Sequence, residues 1–229
     1  MFGVLFTSQD VVATAFATAL LATLATAALC FLGLSWTNEK WRVPVAVVGV
    51  AALASGLHYL GAAQLWLEAQ GASGGIRYSA WFTVHGLQVA AVYFFARTQG
   101  PVPVGVFWRI SAAALLMVLS RYLGDAGFFN ATLGALLSIA FWLYILGELY
   151  FGAMAEAVRK SSRAVRLGYF WIRLILTIGW AIYPILHFVD VVVGTGQAPG
   201  VVALYTLFDL LNLITPSLIV LAVASQERY

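Results

Sequence analysis

The chain has 229 residues, of which 62% are hydrophobic and 9% are charged, and its formal net charge is +3. So large an apolar share excludes an ordinary soluble domain and indicates a polytopic membrane protein, with the lipid bilayer as its main partner. The small net charge gives no reason to expect nucleic acid as a partner.

Seven apolar segments follow one another along the chain, each close to the roughly 20 residues that cross a bilayer as a helix. They cover approximately 11–34, 43–67, 77–96, 104–123, 128–155, 167–193 and 201–225. The N-terminal string MFGVLFTSQD lacks the basic region of a signal peptide, so we expect the first segment to be retained. The pattern predicts an all-α membrane protein with one seven-helix transmembrane domain over residues 1–229.

Basic residues collect in or beside the linkers after the first, third and fifth segments and in the C-terminal tail. They are Lys40, Arg42, Arg97, Arg109, Arg159, Lys160, Arg163, Arg166 and Arg228. Because positively charged loops remain in the cytoplasm, we expect the N-terminus outside and the C-terminus in the cytoplasm.

An ionisable residue, Asp209, stands near the middle of the last segment, in the string YTLFDLLN at 205–212. A charge at that depth is costly, which makes Asp209 a candidate functional residue. The string resembles the last transmembrane helix of proteorhodopsin-type microbial rhodopsins. Three further strings carry the same resemblance in the family's order: HYLGAAQLWLEAQG at 58–71, RYSAW at 77–81 and GWAIYP at 179–184.

The resemblance implies a seven-helix bundle of the microbial rhodopsin type in a bacterial inner (plasma) membrane. Rhodopsins of this type commonly form rings, so a homo-oligomer is expected. The resemblance fails where the family's photochemistry takes place. The position of the retinal lysine is Leu213, and the positions of the counterion and proton-donor carboxylates are Ala80 and Ala91. The only lysines, Lys40 and Lys160, fall in linkers, so we expect no covalent retinal.

The resemblance also places a set of side chains around the family's retinal cavity. They are Trp81, His85, Met117, Arg121, Ser138, Trp142, Trp180, Tyr183, His187 and Leu213. Arg121, His85 and His187 make this cavity more polar than retinal requires. That indicates either a ligand with an acidic or hydroxylated end, or a cavity filled by side chains and water. Arg121 lies near the end of its segment, so the alternative for it is to reach the membrane interface.

A second expected group is a buried polar cluster of His58, Tyr59, Arg77 and Asp209. If the family's geometry carries over, Asp209 is paired with Arg77 and accepts hydrogen bonds from Tyr59 and Tyr183. The alternative is that the cluster only holds the fold together. The three histidines have no local metal-ligand spacing, so no metal site is expected.

Two functions follow from these residues, and a third, a light-driven pump in the usual sense, is not expected because the lysine is missing. The first is a non-covalent binder of retinal or a related apocarotenoid, or a regulatory or assembly partner of another membrane protein. The second is an ion or proton transporter or channel that uses Arg77, Asp209 and His58, with Glu148 as the one carboxylate that could replace the missing donor. The sequence contains no nucleophile–base pair, phosphate loop or metal motif, so we do not expect an enzyme.

Overall fold

The structure of the protein is a computed structural model that describes residues 10–69, 74–194 and 198–227, without the side chains of 69, 74–76, 191 and 192. Every regular element within these ranges is a helix. The elements are α1 (Val11–Gly33), α2 (Glu39–Ala69), α3 (Gly74–Arg97), α4 (Val104–Asp125), α5 (Ala131–Phe151), α6 (Ala153–Arg159), α7 (Arg163–Leu174), a π-helical turn (Ile175–Gly179), α8 (Trp180–Val193) and α9 (Pro199–Gln226).

These helices form an up-and-down bundle, in which short connections make successive long helices antiparallel neighbours. The helix α1 packs on α2 and α9, α4 packs on α5, and α9 also contacts α2, α3 and α7. We call the end of the bundle at which α1 starts the N-terminal end, and the other end the opposite end. The last helix therefore lies where it can present Asp209 to the interior.

Six helical stretches of the described chain are long and apolar enough to cross a bilayer, consistent with an integral membrane protein. They are Val11–Gly33, Glu39–Glu68, Val104–Asp125, Ala131–Arg159, Arg163–Asp190 and Pro199–Gln226. The predicted third segment, 77–96, lies within α3 but is not among the six. Its interior-facing polar residues, including His85 and Gln88, lower its hydropathy, although its length suffices for a span.

Two predicted segments are interrupted where the sequence pattern showed continuous helix. The fifth breaks at Gly152, whose extended backbone packs directly against the side chain of Glu148, so a β-carbon would collide there. The sixth contains the π turn Ile175–Gly179, and its first helix begins at Arg163, where Ser162 accepts a hydrogen bond from the N–H of Val165. Such turns expose backbone groups that side chains must satisfy.

Asp10 fixes the N-terminal end of α1 to α2. Its carboxylate accepts hydrogen bonds from the backbone N–H of Val12 at 2.7 Å and Ala13 at 3.2 Å, and from Trp66 Nε1 at 2.8 Å. Desolvation opposes ionisation of this carboxyl, but the three hydrogen bonds outweigh it and lower the pKa of Asp10. The charged side chain is therefore the capping form.

The opposite end is tied together by contacts to the end of α9. Glu227 lies 3.8 Å from Lys40 Nζ and accepts a hydrogen bond of 2.5 Å from Ser162. Trp36 Nε1 donates to Ser225 Oγ at 3.3 Å. Lys40 is therefore held at the end of the bundle, and Lys160 is exposed beyond α6. Neither lysine reaches the interior.

Candidate functional site

Asp209 is held in the interior by three neutral donors. Tyr183 donates to Asp209 Oδ1 at 2.7 Å and Trp81 Nε1 donates to the same oxygen at 3.1 Å. Tyr59 donates to Oδ2 at 3.2 Å. The predicted contacts from Tyr59 and Tyr183 are thus present, and Trp81 is an additional donor. A carboxylate accepts only, so three donors suit it well.

The predicted ion pair between Arg77 and Asp209 is not among the ion pairs within 4.0 Å of the described residues. The guanidinium of Arg77 instead lies 4.4 Å from the ring centroid of Tyr205 and 5.9 Å from that of Trp81. Tyr205 precedes Asp209 by one helical turn, so its ring offers the cation a cation–π contact in place of the carboxylate. The ion pair that was predicted from the geometry of the family is therefore wrong.

A small cavity lies beside Asp209, with a volume of about 20 Å³. His58, Tyr59, Asp209 and Ala80 are among its lining residues, and Arg77 is not. The volume exceeds the 10–15 Å³ or so that one water molecule requires. The polar cluster predicted from the sequence is therefore divided, with three members on this cavity and Arg77 elsewhere.

The π turn and the last helix meet beside this cavity through Asn212. Its Nδ2 donates to the carbonyl of Gly179 and to the hydroxyl of Tyr183, each at 3.0 Å. Gln88 Nε2 donates to the carbonyl of Asn212 at 2.7 Å. A backbone carbonyl within the π turn is thereby satisfied by a side chain.

A larger cavity, of about 110 Å³, lies between α3, α4, α5, α8 and α9 towards the N-terminal end. Eight of the ten predicted pocket residues line it: Trp81, His85, Met117, Arg121, Ser138, Trp142, Trp180 and Tyr183. Arg77, Tyr78, Asp125 and Tyr205 are among the further lining residues. Three tryptophans and Met117 give it apolar walls, as is common in small-molecule sites.

The polar side of the larger cavity is built around Arg121. Its Nη2 lies 2.9 Å from Asp125, one turn later on α4, and its Nε donates to the hydroxyl of Tyr78 at 3.4 Å. That hydroxyl donates in turn to Asp125. The Arg121 side chain is only 18% exposed, so it lines the cavity and does not extend to the membrane interface.

Three buried polar atoms near this region have no hydrogen-bond partner among the described residues: Arg121 Nη1, Trp180 Nε1 and His187 Nε2. An unsatisfied buried polar group costs about 1–3 kcal/mol. Arg121 and Trp180 line the larger cavity, whereas His187 is buried outside its lining. The prediction that His187 lines this cavity is therefore not confirmed, because the lining supplied by α8 ends at Pro184, one turn before His187.

Leu213 is also outside both polar cavities. It is 2% exposed and lines a void of about 10 Å³ together with Gln88, Ala91 and apolar neighbours. That volume is at the lower limit for one water molecule, about 10–15 Å³. The predicted pocket position of Leu213 is therefore not found, because the Leu213 side chain packs towards α2, α3 and α7.

Sequence reasoning missed several residues that complete these sites, although their spacing contained the signal. Asp125 follows Arg121 by four residues, the spacing of a helical ion pair. Tyr205 and Asn212 flank Asp209 at four and three residues, which places all three on one face of a helix. Within the described residues, no group of three or more His, Cys, Asp or Glu side chains is arranged to hold a metal ion.

A profile of the bacteriorhodopsin-like protein family matches residues 10–226 of this chain. The chain belongs to this family. Members similar in sequence include the green-light absorbing proteorhodopsin of the gamma-proteobacterium EBAC31A08, 28% identical over 207 residues, which cover 90% of this chain and 83% of that protein. The blue-light absorbing proteorhodopsin of the gamma-proteobacterium Hot 75m4 is 30% identical, covering 83% of this chain and 76% of that protein. The prediction of a microbial rhodopsin is confirmed.

Solved structures of the family agree with the fold. The blue light-absorbing proteorhodopsin from Med12 is 27% identical and superposes with a TM-score of 0.80, covering 95% of this chain and 100% of that chain. The Exiguobacterium sibiricum rhodopsin is 20% identical with a TM-score of 0.82, covering 93% of this chain and 95% of that chain. At that identity the second likeness supports the fold alone.

A covalently bound retinal does not fit the residues of this chain. Covalent attachment of an aldehyde needs an amine, and the two lysines of the sequence stand at the opposite end of the bundle. Leu213 supplies no nucleophile, and its side chain does not line the aromatic cavity. Ala80, beside Asp209, supplies no carboxylate.

Proposed function

We propose that this bacteriorhodopsin-like protein lacks the retinal lysine of its family and binds an apolar ligand non-covalently in the larger cavity. Retinal or a related apocarotenoid is the proposed class of ligand. The observation that carries the proposal is the combination of an aromatic cavity with an alkyl side chain, Leu213, at the position of the lysine. The protein keeps the walls of a chromophore site without the group that would hold the chromophore.

The cavity must enlarge to hold any member of this class, and the shorter members require the least movement of side chains. A cavity of about 150 Å³ admits benzene, and the volume here is about 110 Å³. A full retinoid is far larger than benzene and needs side chains to move. Met117 is the wall residue best suited to this, since an unbranched thioether side chain adapts its shape easily.

Light-driven pumping is not part of the proposed function. A pump needs groups that accept and return a proton along a path through the protein. On the side of Asp209 towards the opposite end, the neighbouring polar residues Gln88 and Asn212 do not titrate, and Ala91 faces the apolar void beside Leu213. A proton at Asp209 therefore has no titratable neighbour in that direction along these contacts.

The decisive experiment adds all-trans-retinal to the purified protein in nanodiscs. We expect a near-ultraviolet absorption band that organic solvent removes, because no amine can fix the aldehyde. Leu213→Lys is the matched control, because it introduces an amine at this position. A visible band in the unaltered protein that survives denaturation and solvent extraction would contradict the proposal, and no binding of any retinoid or apocarotenoid would reject this class of ligand.

The second candidate function is transport of ions or protons through the polar cluster of His58, Arg77 and Asp209. It is favoured by the small cavity beside Asp209, which shares Trp81, His85 and Tyr183 with the lining of the larger cavity. The test is proton flux into proteoliposomes, with Asp209→Asn as the comparison. Flux that Asp209→Asn abolishes would favour this candidate over ligand binding.

We further propose an inner-membrane location with the N-terminal end outside, and assembly either with further copies of this chain or with another membrane protein. Orientation follows from the basic residues at the opposite end, among them Lys40, Arg42 and Arg159. Assembly is proposed from the resemblance to ring-forming rhodopsins. Native mass spectrometry from nanodiscs measures the copy number, and a monomer at all concentrations would reject the homo-oligomer.

A further inference from the structure

The larger cavity contains more positive than negative side chains. Arg77 and Arg121 line it, and Asp125 is the single carboxylate among its described lining residues. Asp125 is already engaged, because it accepts from Tyr78 and lies 2.9 Å from Arg121 Nη2. Arg77 rests on the ring of Tyr205 and has no ion pair in the described parts of the chain. The lining itself therefore carries one more positive than negative side chain, although the carboxylate of Asp209, outside the lining, interacts electrostatically with Arg77.

Two buried atoms of lining residues are donors without an acceptor. Arg121 Nη1 and Trp180 Nε1 have no hydrogen-bond partner among the described residues, and Trp180 is 2% exposed. A guanidinium and an indole N–H can donate but cannot accept. An occupant that satisfies either atom must therefore present an acceptor oxygen to it.

Much of the remaining wall is apolar. Trp81, Trp142, Met117 and Ile139 present rings and alkyl surface to the cavity. The ligand that fits this lining is therefore amphiphilic, with oxygen atoms towards Arg121 and an apolar body against the tryptophans.

We propose that the ligand is a small amphiphile with a carboxylate head and a ring-bearing apolar body, whose carboxylate accepts hydrogen bonds from Arg121 and Trp180. A carboxylate matches the fork of a guanidinium, and a charge-assisted hydrogen bond is stronger than a neutral one. An aldehyde or alcohol head supplies acceptor oxygen but no charge. The inference rests on the proposed function above, since it specifies the head group of the non-covalent ligand. Oxidised apocarotenoids and fatty acids share the head group, and the ring-bearing body selects the former.

The test measures binding to the full-length protein in nanodiscs by equilibrium dialysis. The probes are β-ionylideneacetic acid, its methyl ester, the corresponding alcohol, retinoic acid and dodecanoate. We expect the short ring-bearing acid to bind at least about tenfold more tightly than its ester and alcohol, as a charged hydrogen bond in a buried site implies. It should also bind more tightly than dodecanoate.

Two substitutions connect the head group to named atoms. Arg121→Gln and Trp180→Phe should each lower the affinity ratio of acid to ester about tenfold. Arg109→Gln is the matched control, because Arg109 lies on the same helix, has a 54% exposed side chain and pairs with Glu148 outside the cavity. It should leave the ratio unchanged. If Arg121→Gln does not fold, Trp180→Phe decides, since it removes a donor that has no partner.

The outcomes separate this inference from the proposed function. Equal affinity for acid, ester and alcohol would overturn the carboxylate head and leave non-covalent ligand binding intact. Binding of none of the probes, including retinal, would overturn both. Dodecanoate equal to the ring-bearing acid would overturn the ring-bearing body. Chloride binding that Arg121→Gln abolishes, without binding of any acid, would replace the proposed ligand with an inorganic anion.

Discussion

Tyr183 is the residue on which the buried carboxylate depends most. Its hydroxyl donates to Asp209 at 2.7 Å and accepts from Asn212 at 3.0 Å, so it joins α8 to two positions of α9. A carboxylate in an apolar interior loses stability when such a donor is removed, because no bulk water replaces it. Arg77, which contacts aromatic rings, contributes less directly to Asp209.

We expect Tyr183→Phe to lower the free energy of unfolding by about 1–3 kcal/mol, as removal of one partner from a buried hydrogen bond does. In double-mutant cycles with Asp209→Asn, its coupling energy should exceed that of Arg77→Gln. Denaturant titration in mixed micelles measures both. Tyr144→Phe, at a 43% exposed tyrosine that donates to Glu148 at 3.3 Å, is the control and should have a smaller effect. A larger coupling for Arg77 would support the ion pair that the sequence predicted.

Individual contacts of the site could be predicted only where one helix supplied both partners or a motif fixed the position. The hydrogen bonds of Tyr59 and Tyr183 to Asp209 followed from the family resemblance. The stacking of Arg77 on Tyr205 did not, since it depends on how two helices, α3 and α9, orient their side chains. For the same reason Leu213, which the resemblance placed in the larger cavity, faces a separate void.

At the scale of elements, the π turn between α7 and α8 is fixed by a close fit to α9. Asn212 donates to the carbonyl of Gly179, and a β-carbon at Gly179 would collide with the amide of Asn212. Trp142 Nε1 donates to the carbonyl of Leu176 in the same turn at 3.0 Å. The turn therefore depends on side chains from two other helices, which its own sequence does not reveal.

Gly179→Ala is expected to destabilise the protein by about 1–3 kcal/mol, the range for an overpacked interior. Gly147→Ala is the matched control, because no atom lies within 4 Å of a β-carbon built at Gly147. It should be neutral or slightly stabilising, since alanine favours a helix over glycine by about 1 kcal/mol. Thermal unfolding in detergent compares the two. Equal stability of the two variants would show that the fit at Asn212 is not close.

The start of α1 should give the protein a defined acid sensitivity. The pKa of Asp10 is lowered in the folded state. The ionised side chain therefore contributes fully to the free energy of unfolding above the unfolded-state pKa of about 3.9, and this contribution disappears as pH falls through the folded-state pKa. Asp10→Ala should cost about 1 kcal/mol at neutral pH. Asp10→Asn keeps a capping side chain and should remove the acid sensitivity. Melting temperatures between pH 7 and strongly acidic pH, roughly pH 2, test this, and an unchanged acid response in Asp10→Asn would count against it.

For the whole molecule, apolar segments were sufficient to predict an all-helical membrane protein. Six of the predicted spans meet the length and composition of a transmembrane helix in the described chain, and α3 completes the bundle with a more polar sequence. The breaks at Gly152 and in the π turn were not predictable from hydropathy, because they depend on contacts with Glu148 and Asn212. A single domain over 1–229 stays a prediction.

The orientation of the bundle in the membrane can be tested at the two lysines, which both lie at its opposite end. Lys40 has a 43% exposed side chain and Lys160 is exposed. A membrane-impermeant amine reagent should modify them in inverted vesicles and spare them in intact spheroplasts, as peptide mapping would show. Modification of Lys160 in intact spheroplasts would reverse the proposed topology.

The arginines of the larger cavity also bear on how well this bundle seals an energised membrane. In the proposed orientation, with the N-terminal end outside, a resting potential draws cations inward with about 2.3 kcal/mol per charge for each 100 mV. Arg77 and Arg121 stand in the path from that side, and fixed positive charges exclude protons and cations from a pore. We therefore expect little proton leak in proteoliposomes under a potassium diffusion potential, and more leak in Arg121→Gln. Leak that is unaffected by this substitution would assign the barrier to the apolar packing around Leu213.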